Sequence, residues 1–591
     1  MSKKGRRSFL KDTAAGAVAL AGLGASQAEG ASQAGTNVAT PLAWDLDFDV
    51  VVIGSGAAGM PAAIAARDGG ASVIVIEKNW DVGGRAILSG GSLQLGCGNR
   101  MQRDAGINDS PDQFFLDWTG SEGQAPVDPK LWGTEGHPLA KHNDREIVRA
   151  FADNAVATFD FLTDNGVVFA RLGGVRGPGN PKAPRQTTVK GWPNQAELII
   201  PNGAGSGTGS GLIRPLEKSA RAKGVRFLLL HRMMQIHRAD RNAGPVLGIT
   251  AAEVDRWNKP TGRTIHVRAR KGVIVAAGGP SANVNVRRIY DPRLTEEYQV
   301  WGDAYTTKDA DGELAATAIG ASLWTTCGQV NLGDRQIHRA GGSLGTRKNG
   351  SPRFPPDSPA FFRQGATGLG ITDWQDAILV KETGRRFYEE TLRGKPMGSP
   401  GWRAHIDAAL QWTGDPNKLN GGGPVWAIFD ATAVERERWR TEPPYVDRAG
   451  GFFFSADTLE ELASQLTKCP YQWRAMPGAA LRATVERYNS FVDAGVDADF
   501  GKPTPVHKIE TPPFYAAWAT PTLHDVMAGL RINTNSQVLD LHGQVIPGLY
   551  AAGECASGIA QHGLAKSALF GRLAGIHAAA QAPFSDRTSG G

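Results

Sequence analysis

One segment of this 591-residue sequence dictates how its first domain must begin. Asp49-Val-Val-Val-Ile53 runs directly into Gly54-Ser-Gly-Ala-Ala-Gly59, an alanine-rich stretch follows, and a second apolar run at 71–76 ends in Glu77. The pattern predicts strand, turn, helix and strand, in which the glycines allow a tight turn and a close approach to a pyrophosphate. The helix start offers free N–H groups to phosphates. The predicted dinucleotide-binding residues are Gly54, Gly56, Ala57, Ala58, Gly59, Glu77 and Lys78.

Further glycine segments decide between FAD and NAD. Asp81-Val-Gly-Gly-Arg-Ala-Ile-Leu-Ser-Gly-Gly91 comes shortly after the acid, and a simple NAD dehydrogenase has no evident use for it. A flavoprotein uses such a segment to run backbone along the pyrophosphate and the isoalloxazine. Two more strand–glycine segments lie at 271–279 and 548–554, so the nucleotide domain is split along the chain. These segments add the predicted cofactor-binding residues Gly84, Arg85, Ser89, Gly90, Gly91, Ala277, Gly278, Gly553, Glu554, Ser567 and Leu569.

The ordered set of motifs resembles a known superfamily over about residues 47–580. GSGAAG, GGRAILSGG, VIVAAGG, DADGELAATAIGA, PPFYA, HDVMAGL and GLYAAGECASG are similar to the fumarate reductase/succinate dehydrogenase flavoprotein superfamily, which includes 3-ketosteroid dehydrogenases. The resemblance implies an α/β fold with a Rossmann-type FAD-binding domain, split in sequence, and an inserted α+β capping domain. Covalent attachment in the fumarate reductase branch uses a histidine near the second glycine segment. No histidine lies between Glu77 and Gly98, so we expect non-covalent FAD.

The motif order also gives the expected domain organisation. It places a signal peptide at 1–34, a linker at 35–46, the first part of the FAD-binding domain at 47–319, the capping domain at 320–505, the second part at 506–580 and a tail at 581–591. The glycine- and proline-rich segment 171–211 is expected to form a long loop, which is either a lid or binding loop or a flexible insertion.

The resemblance also implies candidate catalytic residues. Such enzymes move a hydride between flavin N5 and a substrate carbon and a proton at the adjacent carbon, beside a carbonyl or carboxylate that needs hydrogen-bond donors. His524, in Thr522-Leu-His-Asp-Val-Met-Ala-Gly-Leu530, resembles the substrate-binding histidine. The proton-donating arginine would be Arg403, or Arg393 nearer the Gly384–Glu390 turn. Tyr388 and Tyr305 are alternatives, because tyrosines do the acid/base work in ketosteroid dehydrogenases.

Two departures from the reductase pattern bear on the substrate. Asn331 stands where the fumarate reductases have a histidine, and in His562-Gly-Leu-Ala-Lys566 a lysine replaces the carboxylate-clamping arginine. A guanidinium fork and a lysine point charge are not equivalent. We therefore expect Asn331, Lys566 and His562 to contact a substrate other than fumarate or succinate. Fifteen tryptophans would suit an alicyclic or aromatic substrate.

The N-terminus resembles an export signal. Arg6-Arg7 precedes Ser8-Phe-Leu-Lys11, and a small-residue apolar stretch follows, which is typical of a twin-arginine signal. It predicts the twin-arginine export machinery as a partner and a periplasmic or exported location. Transmembrane segments are not expected, because no apolar run approaches the length of a membrane span.

Composition excludes other classes of protein. The four cysteines are far apart, which argues against structural zinc, covalent haem and iron–sulfur clusters, so no metal site is predicted. A net charge of +6 is too small to indicate nucleic acid. The chain is predicted to interconvert CH–CH and C=C bonds with a separate quinone or redox protein as electron partner. An FAD-dependent alcohol dehydrogenase or oxidase and a non-catalytic flavin electron-transfer module remain the alternatives.

Overall fold

The computed structural model describes residues 43–119, 143–173, 183–201, 207–292, 294–326, 337–338, 344–347, 353–391, 424–524, 526–561 and 563–584, with backbone only at 337–338. The predicted signal peptide lies outside these residues, as do most of the linker and of the tail. Four candidate site residues also lie outside them, namely Asn331, Arg393, Arg403 and His562.

The described residues form a mixed α/β structure. The strands are β1 (Leu46–Ile53), β2 (Val73–Ile76), β3 (Ser92–Gln94), β4 (Phe169–Gly173), β5 (Gln186–Val189), β6 (Arg226–Leu228), β7 (His231–Asp240), β8 (Ala243–Val254), β9 (Pro260–Val275), β10 (Gln299–Val300), β11 (Leu323–Thr325), β12 (Ile337–His338), β13 (Ile378–Lys381), β14 (Val425–Phe429), β15 (Phe453–Ala456), β16 (Phe514–Trp518), β17 (Thr522–Leu523), β18 (Ala528–Leu530), β19 (Gln537–Leu539) and β20 (Val545–Ala551).

Twelve α-helices accompany these strands in the described residues. They are α1 (Gly59–Asp68), α2 (Arg100–Asp104), α3 (Pro111–Thr119), α4 (Arg145–Asp164), α5 (Ser210–Ala222), α6 (Val284–Tyr290), α7 (Asp311–Thr317), α8 (Phe361–Gln364), α9 (Ala431–Glu437), α10 (Leu459–Gln465), α11 (Gly478–Ala494) and α12 (Leu564–Ala580). Short 3₁₀ helices lie at Gly84–Leu88, Gln195–Glu197, Trp374–Asp376, Leu466–Lys468 and Gly553–Cys555.

The largest sheet is built on a parallel core. Its strand order is β19-β20-β9-β1-β2-β6, and the strands from β20 to β6 pair in parallel. The apolar runs of β1 and β2 are buried on both faces, as the continuous Val/Ile pattern of parallel strands requires. Helix α12 packs closely on α1, since a Cβ on Gly571 would lie 2.1 Å from the Ala58 carbonyl oxygen.

A second sheet, of order β13-β14-β16-β15, is antiparallel. On one face Trp426 and Trp518 meet edge to face at 5.4 Å within an apolar cluster. β16 follows the predicted boundary at residue 505 and pairs with both β14 and β15, so this sheet draws on chain from both sides of that boundary.

A buried charge cluster lies beside this second sheet. Arg386 donates to Glu390 at 2.8 and 2.9 Å and to Asp497 at 2.9 Å, and the ammonium of Lys502 lies 3.5 Å from Glu390. Burial alone would raise the pKa of Glu390, but Lys502 and Arg386 hold it below its ordinary value. The Gly384–Glu390 turn is therefore anchored by paired charges.

Three smaller sheets complete the described structure. They are β3-β5-β4, β10-β17-β12 and β11-β18. The expectation of one long loop over 171–211 is wrong, because a 3₁₀ helix and β5 form within it, and β5 pairs with both β3 and β4.

No described helix has the length and hydropathy needed to cross a membrane. Within the same residues, no three His, Cys, Asp or Glu side chains come close enough together to hold a metal ion.

Candidate active site

A cavity of about 840 Å³ opens where the parallel strands end. Most of the cofactor-binding residues predicted from the sequence line it: Gly54, Gly56, Ala57, Ala58, Glu77, Lys78, Gly84, Arg85, Ser89, Gly90, Ala277, Gly278, Gly553, Glu554 and Ser567. The chain segments at 53–58, 76–90, 276–278 and 553–567 are distant in sequence, and the fold brings them to one place. Gly59, Gly91 and Leu569 are not among the lining residues.

The first glycine turn forms a cradle of backbone. Gly54 has a φ of +94°, and a Cβ there would lie 2.4 Å from the Ala276 carbonyl oxygen. A Cβ on Gly59 would lie 1.8 Å from the Gly54 oxygen, so Gly59 permits helix packing and not ligand contact. By contrast, a Cβ on Gly56 would meet only the Gly83 oxygen, at 3.7 Å, and would occupy the cavity itself. The backbone at Gly56 is thus open to a ligand at the start of α1.

Glu77 joins this turn to the second glycine segment. Its carboxylate accepts hydrogen bonds from the Ser55 amide at 2.9 Å, the Ser55 hydroxyl at 2.7 Å and the Asn79 amide at 2.8 Å. The Ser55 hydroxyl in turn accepts from the Gly83 amide at 3.0 Å. Glu77 is 5% exposed, and it lines the cavity at the end of β2, where an acid can accept from a ribose.

Charged pairs surround this end of the cavity. The Lys78 ammonium lies 2.9 Å from Asp309 and 3.1 Å from Asp311, and Arg232 also pairs with both acids. Burial alone would raise the pKa of Asp309, but Lys78 and its other partners hold it at about 2. Asp309 therefore stays ionised and neutralises Lys78.

Lys308 links two walls of the cavity. Its ammonium pairs with the Glu554 carboxylate and donates to the His524 carbonyl oxygen at 3.2 Å. Lys308 is buried, and its stem lies 3.5 Å from the position of a Cβ on Gly278. Sequence reasoning missed Lys308, because only the folded chain places it between residues 278, 524 and 554.

His524 lines the same cavity, beside Trp301. β10 and β17 pair in parallel, with Val300 opposite Leu523, and the Trp301 amide donates to the Leu523 oxygen at 2.8 Å. The two rings lie 4.8 Å apart at an angle of 59°. The indole therefore restrains the imidazole at the cavity wall, a role that no local pattern around Trp301 indicates.

Three other candidates lie away from the cavity lining. Lys566 is buried in the first turn of α12, and its ammonium donates to the Ala556 oxygen at 3.5 Å. Tyr388 packs in the apolar core beneath the second sheet. Tyr305 is buried, and its hydroxyl donates to the Val82 oxygen at 3.0 Å. The predicted roles of Lys566 in substrate binding and of the two tyrosines in proton transfer stay predictions.

The β3-β5-β4 sheet also contributes to the cavity wall, where it presents a polar row. Ser92, Thr188 and Arg171 are opposite one another across the three strands, and all three line the cavity. Gln186 lines it too and donates to the Ser92 hydroxyl at 2.9 Å, while the Ser92 and Thr188 hydroxyls lie 3.2 Å apart. None of these four residues was singled out from the sequence.

The whole arrangement fits FAD. The open backbone at Gly56, the helix start behind it and the buried carboxylate of Glu77 match the phosphate and ribose groups of a dinucleotide. Comparison with known proteins agrees, since the family model described as "FAD binding domain" matches residues 49–567. The chain belongs to the FAD binding domain family.

Proteins with similar sequences include reductases. The chain is 29% identical over 577 residues to an NADH:fumarate oxidoreductase of Klebsiella pneumoniae (strain 342), covering 96% of this chain and 51% of that protein. It is 29% identical over 550 residues to a urocanate reductase of Eggerthella lenta, covering 91% of this chain and 75% of that protein. The chain thus spans about half the length of the Klebsiella relative.

A solved structure gives the corresponding result for the fold. A 3-ketosteroid-Δ4-(5α)-dehydrogenase from Rhodococcus jostii RHA1 matches with a TM-score of 0.52 and 25% identity, covering 91% of this chain and 98% of the other. The predicted flavoprotein superfamily, the FAD cofactor and the class of FAD-dependent oxidoreductase are therefore confirmed.

Proposed function

We propose that this FAD-dependent oxidoreductase interconverts a CH–CH and a C=C bond adjacent to a carbonyl or carboxylate. The observation that carries the proposal is one cavity that the glycine cradle, Glu77 and His524 all line. FAD, when bound, supplies hydride acceptance or donation. The names of the relatives support the reaction type, because fumarate and urocanate reductases and ketosteroid dehydrogenases all act on such bonds.

His524 is the residue that we assign to the substrate oxygen. Charge builds on the carbonyl or carboxylate during the reaction, and a preorganised donor stabilises it most where water is excluded. Trp301 restrains the imidazole from one side, and Lys308 holds the backbone carbonyl of the same residue. The protein therefore sets the position of His524 before substrate arrives.

The proton donor is proposed from the sequence alone. Tyr388 and Tyr305 are enclosed in apolar or hydrogen-bonded surroundings away from the cavity lining. That placement favours Arg403, with Arg393 as the alternative, and both lie outside the described residues. The anchored turn at 384–390 precedes both in the chain.

We also infer the domain organisation of the chain, its mode of FAD binding and its location. The parallel sheet and the chain segments at its ends form a Rossmann-type FAD domain split in sequence, at 47–319 and 506–580, and 320–505 is the cap. The FAD is non-covalent, since the second glycine segment offers no histidine. The protein is exported through the twin-arginine machinery and exchanges electrons with a separate quinone or redox protein. Fumarate and succinate are not its substrates, given Asn331 and Lys566.

An anaerobic titration of the purified protein tests this function. Oxidised flavin that is bleached by a saturated ketone or acid indicates a dehydrogenase, and reduced flavin that is reoxidised by an enone or enoate indicates a reductase. Neither response across both compound classes, in a sample with bound FAD, would contradict the proposal. Bleaching by simple alcohols alone would indicate the alcohol dehydrogenase instead.

A further inference from the structure

The cavity holds one cation whose charge no described residue neutralises. Four lysine and arginine side chains line it, namely Lys78, Arg85, Arg171 and Lys308. Lys78 pairs with Asp309 and Asp311, Arg85 lies 3.5 Å from Asp303, and Lys308 pairs with Glu554. Arg171 has no acidic partner among the described residues.

The acidic side chains at the cavity also have hydrogen-bond or ion-pair partners. Glu77 accepts from Ser55 and Asn79, Asp311 faces Lys78 and Arg232, and Glu554 faces Lys308. Among the lysine and arginine side chains that line the described cavity, Arg171 is therefore the one that faces no carboxylate. A guanidinium that lines a ligand cavity without a carboxylate beside it favours an anionic ligand group.

Arg171 lies on a different sheet from the strands that lead into the glycine cradle and Glu77. It lies on β4, in the row that Thr188 and Ser92 continue across the sheet, and its side chain is exposed. The glycine cradle and Glu77 instead follow β1 and β2 of the parallel sheet. The opposite face of the same small sheet is closed core, where Leu93 and Thr187 are fully buried. The polar row is thus the face that the sheet turns to the cavity.

We propose that Arg171 anchors a carboxylate of the substrate, so that the substrate is an unsaturated or saturated acid and not a neutral ketone. This inference rests on the proposed function, because it assigns the substrate class of the same site. The planar guanidinium can hold a carboxylate through two parallel hydrogen bonds. Ser92, Thr188 and Gln186 hold one another and extend the polar wall beside it.

The test compares matched acids and esters. Monomethyl fumarate and dimethyl fumarate form one pair, and trans-4-oxopent-2-enoate and its methyl ester the other, so that each pair differs mainly in charge and each acid carries a second carbonyl apart from its carboxylate. Binding to the oxidised holoprotein is followed by the change in flavin absorbance, and turnover by reoxidation of the reduced protein. The variants are Arg171→Gln and Arg171→Lys. Arg226→Gln, at an exposed arginine on β6 outside the cavity lining, is the matched control.

The wild-type protein is expected to bind at least one acid more tightly than its ester. Arg171→Gln should raise the Kd and KM for that acid about tenfold and leave kcat within about twofold, because the anchor binds ground state and transition state alike. The ester and the FAD content should not change. The Kd and KM of Arg171→Lys for that acid should lie between those of the wild type and those of Arg171→Gln. The values for Arg226→Gln should match the wild type.

Several results would contradict the proposal that Arg171 anchors a carboxylate of the substrate. These are equal binding of acid and ester by the wild type, an equal loss for both in Arg171→Gln, loss of FAD from that variant, or no binding of either acid. If esters reoxidise the flavin without any dependence on Arg171, the proposed reaction stands and the anchor fails. If acids bind through Arg171 but no compound of either class exchanges electrons with the flavin, the anchor stands and the proposed reaction fails.

Discussion

Replacing Glu77 by glutamine tests the cofactor end of the cavity. The carboxylate holds three donors, the Ser55 amide and hydroxyl on one oxygen and the Asn79 amide on the other. In Glu77→Gln an NH₂ group takes the place of one oxygen. Whichever way the amide turns, at least one buried N–H then faces a donor.

The number of donors that lose their acceptor sets the expected changes in stability and in FAD affinity. An unsatisfied buried donor costs about 1–3 kcal/mol, so the free energy of unfolding of the apoprotein should fall by about that amount. A ribose hydroxyl bonded to a charged acceptor is worth about 1.5–3 kcal/mol, so the Kd for FAD should rise by about 10- to 100-fold. The measurement is a titration of apoprotein with FAD, followed by quenching of flavin fluorescence.

Two controls separate ribose binding from support of the turn. Ser55→Ala removes the hydroxyl that Gly83 and Glu77 share but keeps the carboxylate, so its Kd for FAD should rise far less. FMN has no adenosine, and its Kd should be the same for the wild type and Glu77→Gln. An equal loss of FMN and FAD affinity would refute the reasoning, because Glu77 would then act only through the fold of the turn.

Three further outcomes are expected. His524→Ala should lower kcat by about 100-fold or more with FAD still bound, whereas His542→Ala, at an exposed histidine, should not; steady-state kinetics decide this. Burial and His266 lower the pKa of His237 to about 4, so its folded form binds fewer protons than the unfolded chain between pH 6.5 and 4. The wild type should therefore lose about 3 kcal/mol of stability as pH falls through that window, and His237→Gln should lose less, in urea titrations at pH 7 and 4.5. Glu390→Gln should destabilise the protein by about 3–5 kcal/mol in the same assay, because it leaves charges buried without their partner.

The cofactor site was predictable because its signals are local. Each glycine segment directly follows an apolar run, and the ends of parallel strands meet at one edge of a sheet, so residues 54–59, 277–278 and 553–554 had to converge. Gly59, Gly91 and Leu569 show the limit of this reasoning. A glycine that permits packing, as Gly59 does, has the same sequence signature as one that faces a ligand.

The cavity-lining residues outside the glycine segments could not be predicted in the same way. Trp301 and Lys308 reach the cavity through contacts with a segment more than 200 residues further along the chain, and Arg171 through strand pairing within its own region. β4 and β5 lie at the edges of glycine- and proline-rich sequence, where composition indicates loop and gives no strand register. Their cross-strand row exists only once the third strand, β3, is in place.

The two walls of the cavity carry different parts of the proposed reaction. On the His524 side, the lysine that lines the cavity, Lys308, is paired with Glu554. On the sheet side, Arg171 faces the cavity without an acidic partner in the described chain. An acid held there by its carboxylate would have to present a second oxygen, beside the reacting bond, to His524, which lines the same cavity. A monocarboxylate whose acid group itself activates the double bond would have to satisfy both residues with one group, so the arrangement favours substrates with two separated oxygen functions.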